Sequence, residues 1–287
     1  DWYLSANLGD TKKLDGHLLP GLEPKGVPRN LKNSVLTFSY NDFEGLQKIV
    51  SENNIGVIKM EVFRSEKPKP GFLQSVRALA SQNNIVLIFD ECTSGFRETL
   101  GGLHKKYGVD PDIAVFGKTL GNGYAITAAI GKREIMESAQ DTFISSTFWT
   151  ERIGSVAGLK AIEVMERENS WDLITNTGKK INEYWLQISK RHNLDISISG
   201  LPAITNFNIN SKNWLKYKTL ISQEMLEEGI LAANSIYVST AHTDQFLEKY
   251  ITVLDRIFSV IAECENGRDI DSLLKVPVCH SGFKRLN

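Results

Sequence analysis

The sequence has few cysteines, no long apolar run and almost no net charge, and each shortage excludes a class of protein. Three widely spaced cysteines in 287 residues provide neither a disulfide framework nor a zinc-ligand pattern, so we expect reduced thiols in a cytoplasmic enzyme. No apolar run approaches the roughly 20 residues that span a bilayer. The net charge of −1 means that the chain has no overall excess of basic side chains to attract nucleic acid. We therefore expect no membrane, nucleic-acid or metal partner.

Short apolar runs alternate with segments of helical spacing in the first half of the chain. Runs that are apolar on both faces are typical of parallel strands buried between helices. The sequence therefore predicts an α/β domain with a mostly parallel sheet sandwiched by helices. The predicted strands are residues 55–62, 85–89, 113–116 and 126–130, and the predicted helices are residues 43–50 and 71–82.

The pattern changes after about residue 165, where longer helical segments begin. Residues 151–168 and 171–191 have helical spacing, and further strands are predicted at 203–209 and 236–240. A helix around 214–228 would stop at Gly229, and Thr243 or Asp244 would cap a last helix that ends near Cys264. We expect a large domain over residues 1–165 and a smaller α+β domain over residues 166–287.

Two ionisable side chains follow predicted strands directly. Asp90 ends the run 85–89, and Lys118 comes two residues after the run 113–116. Ligands of open α/β sheets bind at the carboxyl ends of the strands, where both side chains would lie. Taken alone, Lys118 is an ordinary solvated loop lysine, and Asp90 with Glu91 is a helix cap or a metal-ligand pair.

The residue order around these positions resembles a known family. Residues 90–97 read Asp-Glu-Cys-Thr-Ser-Gly-Phe-Arg, which resembles the Asp-Glu-Val-x-x-Gly-Phe-Arg signature of class III aminotransferases, the family that contains glutamate-1-semialdehyde aminomutase. Residues 117–123 resemble its Gly-Lys-x-x-Gly-x-Gly segment, and residues 146–148, 229–232 and 241–244 extend the likeness. The resemblance implies fold type I of the pyridoxal-phosphate (PLP) transferases and an aminotransferase or aminomutase.

The resemblance also implies roles for individual residues. Lys118 would form the Schiff base with PLP and then act as a general base, while Asp90 would hold the pyridine nitrogen. Cys92 stands where the family has Val and would pack on the cofactor, although a catalytic thiol is an alternative. Thr147 would reach the cofactor phosphate of a partner subunit, which implies a homodimer with a shared active site. Ser145 and Ser146 offer the same hydroxyl chemistry as Thr147.

Several further positions match or depart from the family pattern. Arg97 is expected to form a structural salt bridge, with a substrate carboxylate as its alternative partner. Glu61 is expected to be structural, and His242 to position the last helix. Trp149 and Thr150 replace the usual Gly-Asn-Pro, and this departure leaves the substrate open.

The sequence lacks two parts of the family pattern, a Ser/Gly-rich turn that cups the cofactor phosphate and an aromatic residue that stacks on the ring. We therefore expect an N-terminally incomplete cofactor domain. The leading interpretation is a PLP-dependent enzyme that transfers an amino group between small molecules through Lys118. The alternatives are another PLP chemistry on the same fold, such as racemisation or decarboxylation, and a non-catalytic fragment.

Overall fold

A computed structural model describes residues 3–16, 20–63, 65–147 and 150–281. The chain divides into two compact units, one formed by Asp1–Ile55 with Pro277–Asn287 and the other by Gly56–Val276. Both sheets and the candidate site belong to the second unit.

The first unit contains little regular structure, as its Gly, Pro and Asn content predicts. Its described residues form two 3₁₀ helices, Tyr3–Leu8 and Arg29–Leu31, and one α-helix, α1 (Phe43–Glu52). Asp42 caps α1 by accepting a hydrogen bond from the amide of Gly45 at 2.9 Å. The predicted helix at 43–50 is thus confirmed, whereas the apolar run 35–39 forms no strand.

The first sheet of the second unit has four strands in the order β1-β2-β3-β4. They are β1 (Val57–Glu61), β2 (Val86–Asp90), β3 (Ile113–Phe116) and β4 (Ala128–Gly131). The first three strands are parallel and β4 is antiparallel to β3. The prediction of a mostly parallel sheet is confirmed, and the carboxyl ends of β2 and β3 lie at one edge.

Helices flank this sheet in the connections between its strands. The helix α2 (Phe72–Gln82) buries Phe72, Leu73, Val76, Leu79 and Ala80. A single-turn helix, α3 (His104–Tyr107), lies between β2 and β3, and another, α4 (Arg133–Met136), follows β4. The long helix α5 (Ile153–Glu168) supplies Met165 to a cluster with Phe96, Phe116 and Leu120, and thereby packs beside the end of β3.

The second sheet has three antiparallel strands, β5 (Ile196–Ser199), β6 (Ile204–Ile209) and β7 (Ser235–Tyr237). Three helices pack around it: α6 (Ser170–Arg191), α7 (Trp214–Glu227) and α8 (Asp244–Glu265). The centre of this core holds Trp185, Phe207 and Phe258, whose rings meet edge to face. The antiparallel sheet and its helices fit the α+β pattern predicted for this part of the chain.

Some details differ from the sequence-based predictions. The strand β5 was not predicted, although its Ile-Ser-Ile-Ser pattern alternates with the period of a strand. Thr243 occupies the N-cap of α8 as predicted but makes no side-chain capping bond. The domain boundary near residue 165 stays a prediction. No helix of the described ranges is long and apolar enough to cross a membrane.

Candidate active site

Lys118 lies just past the carboxyl end of β3, and its amine faces Thr93 in the segment that follows β2. The Nζ of Lys118 donates a hydrogen bond to Oγ1 of Thr93 at 2.7 Å. The backbone of Lys118 has φ of +44°, a left-handed conformation that costs energy for a residue with a side chain. Among the described residues, the amine has no carboxylate partner. This lysine is therefore held in a strained turn with its amine uncommitted to an ion pair.

Asp90 is the last residue of β2, and each of its carboxylate oxygens has a partner. Oδ2 accepts a hydrogen bond from Nζ of Lys59 on β1 at 2.7 Å, and Oδ1 accepts one from the amide of Cys92 at 3.1 Å. Burial raises the pKa of Asp90, but the Lys59 and Cys92 hydrogen bonds outweigh burial and hold this pKa below its usual value. Asp90 is therefore a fixed carboxylate near neutral pH.

Cys92 lies between the two candidate residues. A Cβ on Gly117, the residue before Lys118, would be 3.3 Å from Sγ of Cys92, so the thiol packs directly against that turn. Burial raises the pKa of Cys92, and the negative charge of Asp90 raises it further. The thiol therefore stays protonated near neutral pH, which favours packing over nucleophilic attack.

The neighbouring Glu91 has a structural task instead of forming a metal-ligand pair with Asp90. Its carboxylate is fully buried, accepts a hydrogen bond from the hydroxyl of Ser94 and binds both the amide and Nδ1 of His104, each at 2.9 Å. These bonds tie the start of α3 to the segment after β2. No group of three or more potential metal ligands occurs in the part of the chain that the structure describes.

The segment after Glu91 turns sharply, and its glycine is required there. A Cβ on Gly95 would lie 2.7 Å from the carbonyl oxygen of Glu91 and 2.8 Å from the ring of Phe116. The following residue, Phe96, has φ of +62°. This turn brings Arg97 back beside Thr93, whose carbonyl oxygen accepts a hydrogen bond from Nε of Arg97 at 3.4 Å.

A cavity of about 1010 Å³ opens beside Lys118. Its wall includes Lys118 and Arg97, the residues 121–124 after the lysine, one side of α5, and residues 237–240 at the end of β7. The cavity therefore lies between the two sheets of the second unit. Asp90 and Cys92 are not part of its wall; Cys92 is close enough to Lys118 for the charge of the lysine to act on its pKa, and the amide of Cys92 bonds Asp90.

Thr147 is placed apart from the other candidate residues. It is exposed, precedes α5, and does not line the cavity. Glu151 accepts hydrogen bonds from the amides of Ile153 and Gly154 and so occupies the N-terminus of α5. Trp149, part of the departure from the family pattern, lies outside the described residues.

The structure also corrects the expectation for Arg97 and adds residues that the sequence did not indicate. Arg97 forms no salt bridge with a described carboxylate; its guanidinium lies over the ring of Tyr237, 5.8 Å from the centroid. Lys59, Thr93 and Tyr237 were not predicted as site residues. The only signal for Lys59 was a charged residue inside an apolar strand. His242 accepts a hydrogen bond from the amide of Ser239 at 3.0 Å just before α8.

Comparison with known proteins identifies related chains. A family model described as aminotransferase class-III matches residues 35–254. The 3-aminobutyryl-CoA aminotransferase of Cloacimonas acidaminovorans is 34% identical over 236 residues, which cover 77% of this chain and 57% of the relative. The glutamate-1-semialdehyde 2,1-aminomutase of Methanosphaera stadtmanae is 29% identical over 253 residues, 80% of this chain and 60% of the relative. The chain thus spans less than two thirds of either relative.

Solved structures share the fold. The FumI protein of Sphingopyxis sp. MTA144, solved in its PLP internal aldimine form, superposes with a TM-score of 0.80 at 19% identity, covering 92% of this chain and 68% of that one. An omega-transaminase from Sphaerobacter thermophilus gives a TM-score of 0.72 at 20% identity, and the superposition covers 85% of this chain and 60% of that one. These likenesses confirm the predicted fold class of the PLP transferases.

Proposed function

This chain belongs to the class III aminotransferase family, and we propose that it carries the catalytic lysine of a PLP-dependent enzyme that transfers amino groups between small molecules. One observation carries the proposal. The amine of Lys118 lies at the wall of a large cavity and bonds only a hydroxyl among the described residues, and the fixed carboxylate Asp90 ends the neighbouring strand β2. An uncommitted amine beside a fixed anion suits imine chemistry.

The residues present fit PLP at its reactive end. The aldehyde of PLP needs a nucleophilic amine, which Lys118 would supply, and its pyridine nitrogen needs an anionic partner, which Asp90 would supply. When bound, PLP serves as an electron sink for a substrate carbon that loses a proton. Cys92, which packs against Gly117, would lie against the cofactor ring. Each of these three side chains thus has a physical reason to contact the cofactor.

Lys118 has a second task in this proposal, the movement of a proton at the substrate carbon. The Thr93 hydroxyl accepts a hydrogen bond from Nζ and so keeps the amine at the cavity wall. A neutral amine in that position accepts the proton from one carbon and returns it to another. The cavity has space for a small substrate above the lysine.

A homodimer with isologous contacts and a shared active site belongs to the same proposal. On α5, which begins six residues after Thr147, three apolar side chains are exposed, Ile153 (66%), Val156 (64%) and Leu159 (70%); the first two also line the cavity, whereas Leu159 does not. Exposed apolar groups concentrated in one place favour a protein interface. Thr147 would reach the phosphate of a cofactor in the partner subunit. A cytoplasmic location is also proposed, since the three widely spaced cysteines provide no disulfide framework.

We place the domain boundary of the proposed enzyme near residue 165. The parallel sheet lies before this point and the antiparallel sheet after it. Asn169, in the left-handed conformation with φ of +51°, joins α5 to α6 just beyond it. Residues 1–165 would form the cofactor domain and residues 166–287 the small domain.

Two alternatives differ from amino-group transfer. Racemisation or decarboxylation would use the same lysine and carboxylate, so a screen of amino donors and acceptors separates them from transfer. A non-catalytic fragment would bind no cofactor at Lys118. The amino donor screen therefore follows a test of cofactor attachment.

Attachment is tested by reducing the PLP-loaded chain with borohydride and mapping the modified peptide by mass spectrometry. We expect the cofactor on Lys118, no fixed cofactor in Lys118→Gln, and normal attachment in the matched control Lys105→Gln. Cofactor found on Lys105, Lys106 or Lys132 of the unaltered chain would show that the proposed lysine is wrong.

A further inference from the structure

Arg97 is a buried cation without an anionic partner. The residue is 9% exposed, and its Nε donates one long hydrogen bond, at 3.4 Å, to the carbonyl oxygen of Thr93. Its two terminal nitrogens bond no oxygen of any described residue. A guanidinium has five N–H donors, so most of its hydrogen-bonding capacity is unused. These unbonded nitrogens are not fully buried and Arg97 lines the cavity, so an anion in the cavity can pair with them.

The wall of the cavity includes Arg97, so a ligand in the cavity has access to it. Tyr237 covers one face of the guanidinium, with the ring centroid 5.8 Å from Cζ. Such stacking fixes the plane of the guanidinium and leaves its edge, where the N–H groups point, open to an anion. Burial lowers the pKa of Arg97 from its ordinary value, but a guanidinium stays charged near neutral pH.

Thr93 connects Arg97 to Lys118. Its hydroxyl accepts the hydrogen bond of Lys118 Nζ at 2.7 Å, and its carbonyl oxygen accepts that of Arg97 Nε. Both cations therefore flank the same residue and line the same cavity. A small molecule with its amino group at Lys118 has Arg97 within reach of its other end.

The other charged groups of the cavity wall are better satisfied or better solvated than Arg97. Lys160 pairs with Glu163 at 2.6 Å, and Glu168 pairs with Arg167 at 2.7 Å. Arg152 is exposed to solvent. The charged residues of the wall are Arg97, Lys118, Arg152, Lys160 and Glu168.

The geometry favours a carboxylate over a phosphate. One planar guanidinium matches the two oxygens of one carboxylate in a bidentate pair and neutralises its single charge. A phosphate dianion requires more donors, and the N-terminus of α5, which also borders the cavity, is already occupied by the carboxylate of Glu151. Much of the remaining wall is apolar, including Val156, Val164 and Ile174.

We propose that Arg97 binds the carboxylate of the amino substrate, so that the enzyme acts on amino acids in preference to simple amines. The proposal rests on the proposed function for the identity of the substrate. The anion site itself is independent of the cofactor and exists in the chain as it stands.

The anion site is tested in the cofactor-free chain by ligand-observed NMR with three probes: propionate, n-propanol and inorganic phosphate. We expect propionate to bind and the uncharged n-propanol to bind at least about tenfold more weakly, because a charge-assisted pair is lost. Equal binding of propionate and n-propanol would overturn the anion site. Phosphate binding more tightly than propionate would overturn the assignment to a carboxylate.

Variants locate the site on Arg97. Arg97→Gln should weaken propionate binding at least about tenfold. Arg97→Lys keeps the charge but not the planar fork of N–H donors, so its affinity for propionate should lie between that of the unaltered chain and that of Arg97→Gln. The exposed Arg133→Gln removes the same charge elsewhere and should leave propionate binding unchanged. In chains with the native circular dichroism spectrum, unaltered propionate binding by Arg97→Gln would place the anion elsewhere, and unaltered binding by Arg97→Lys would overturn the bidentate pair with the guanidinium.

A second experiment uses the PLP-loaded chain and compares β-alanine with n-propylamine as amino donors. Arg97→Gln should raise the KM for β-alanine at least tenfold and leave the KM for n-propylamine unchanged. A change of equal size for both donors would overturn the carboxylate contact. Absence of cofactor attachment at Lys118 in the unaltered chain, with propionate binding intact, would contradict the proposed function and leave the anion site standing.

Discussion

Lys59 and Asp90 form an ion pair across the strands β1 and β2, with Nζ of the lysine 2.7 Å from Oδ2 of the aspartate. Both side chains lie on the same face of the sheet, in the alternating set that includes Val57 and Glu61. The carboxylate proposed to hold the pyridine nitrogen of PLP thus has a cationic partner already. The hydrogen bond and charge of Lys59 lower the pKa of Asp90 and so favour its carboxylate form. Lys59 and the pyridine nitrogen of the cofactor would both contact this carboxylate.

Replacing Lys59 by Met should raise the pKa of Asp90 towards its ordinary value. Burial alone raises the pKa of this carboxyl, and the hydrogen bond and charge of Lys59 are the main opposing causes. Lys59 is 51% exposed, so the free energy of unfolding should change by less than about 1 kcal/mol. NMR titration of the Asp90 side-chain carboxyl measures the shift.

The matched control for that titration is Lys48→Met. Lys48 forms a comparable exposed pair with Glu52, but it lies on α1. The control should leave the pKa of Asp90 unchanged. An unchanged Asp90 pKa in Lys59→Met as well would show that the ion pair does not control its ionisation.

Asp90→Asn should abolish most of the turnover of the PLP-loaded chain while Lys118 still accepts the cofactor. The neutral amide no longer stabilises a positive pyridine nitrogen, and the loss of a charge-assisted partner costs a few kcal/mol, or about two orders of magnitude in rate. Single-turnover absorbance measurements with an amino donor separate attachment from the rate of reaction. The exposed Asp110→Asn is the control, and near-normal rates in Asp90→Asn would refute the role.

The strands and the position of the candidate residues could be predicted because both depend on local pattern. Residues 85–89 and 113–116 are continuous apolar runs, and each forms the strand expected of it. A carboxylate and a lysine directly after such strands must lie at one edge of a parallel sheet. The order of the residues around them then indicated the family.

The partners of these side chains could not be predicted, because partners depend on register and on distant segments. Lys59 meets Asp90 only because Glu61 pairs with Asp90 in the ladder, which places Lys59 diagonally on the same face. Arg97 was expected to form a salt bridge, yet Tyr237 covers it from β7, 140 positions along the chain. The environment of Arg97 thus depends on the packing of two sheets, which no local pattern encodes.

Asp112 gives the clearest expectation for pH dependence. Burial raises its pKa, but the amide of Leu87 and the cations of Lys132 and Arg77 lower it to about 2. The carboxylate is nearly buried and accepts all three bonds at 2.8 Å. Because the folded pKa lies below the unfolded value of 3.8, Asp112 stabilises the fold above about pH 4, and this contribution is lost as the pH falls towards 2.

Asp112→Asn should therefore reduce the free energy of unfolding by about 2 kcal/mol at pH 7. The difference between the variant and the unaltered chain should shrink between pH 4 and pH 2. Urea unfolding at pH 7, 5 and 3 measures this difference in the free energy of unfolding, and the exposed Asp110→Asn serves as control. A difference that stays constant down to pH 3 would mean that packing, not ionisation, accounts for the loss.

Leu159→Glu should disrupt the proposed homodimer. Leu159 is 70% exposed on α5 and, unlike Ile153 and Val156, does not line the cavity; in a dimer interface it would be buried against the partner subunit. A carboxylate there must be desolvated without a partner, and in an isologous interface the change occurs twice. Removing two buried leucine side chains and introducing two charges costs several kcal/mol, enough to shift the dissociation constant by more than a hundredfold. Sedimentation velocity over a range of concentrations should show a dimer for the unaltered chain and a monomer for the variant.

The control Leu226→Glu changes a similarly exposed leucine, 62% exposed on α7, and should remain dimeric. A Leu159→Glu chain that sediments like the unaltered one would place the interface on another surface and remove the support that α5 gives to a shared active site.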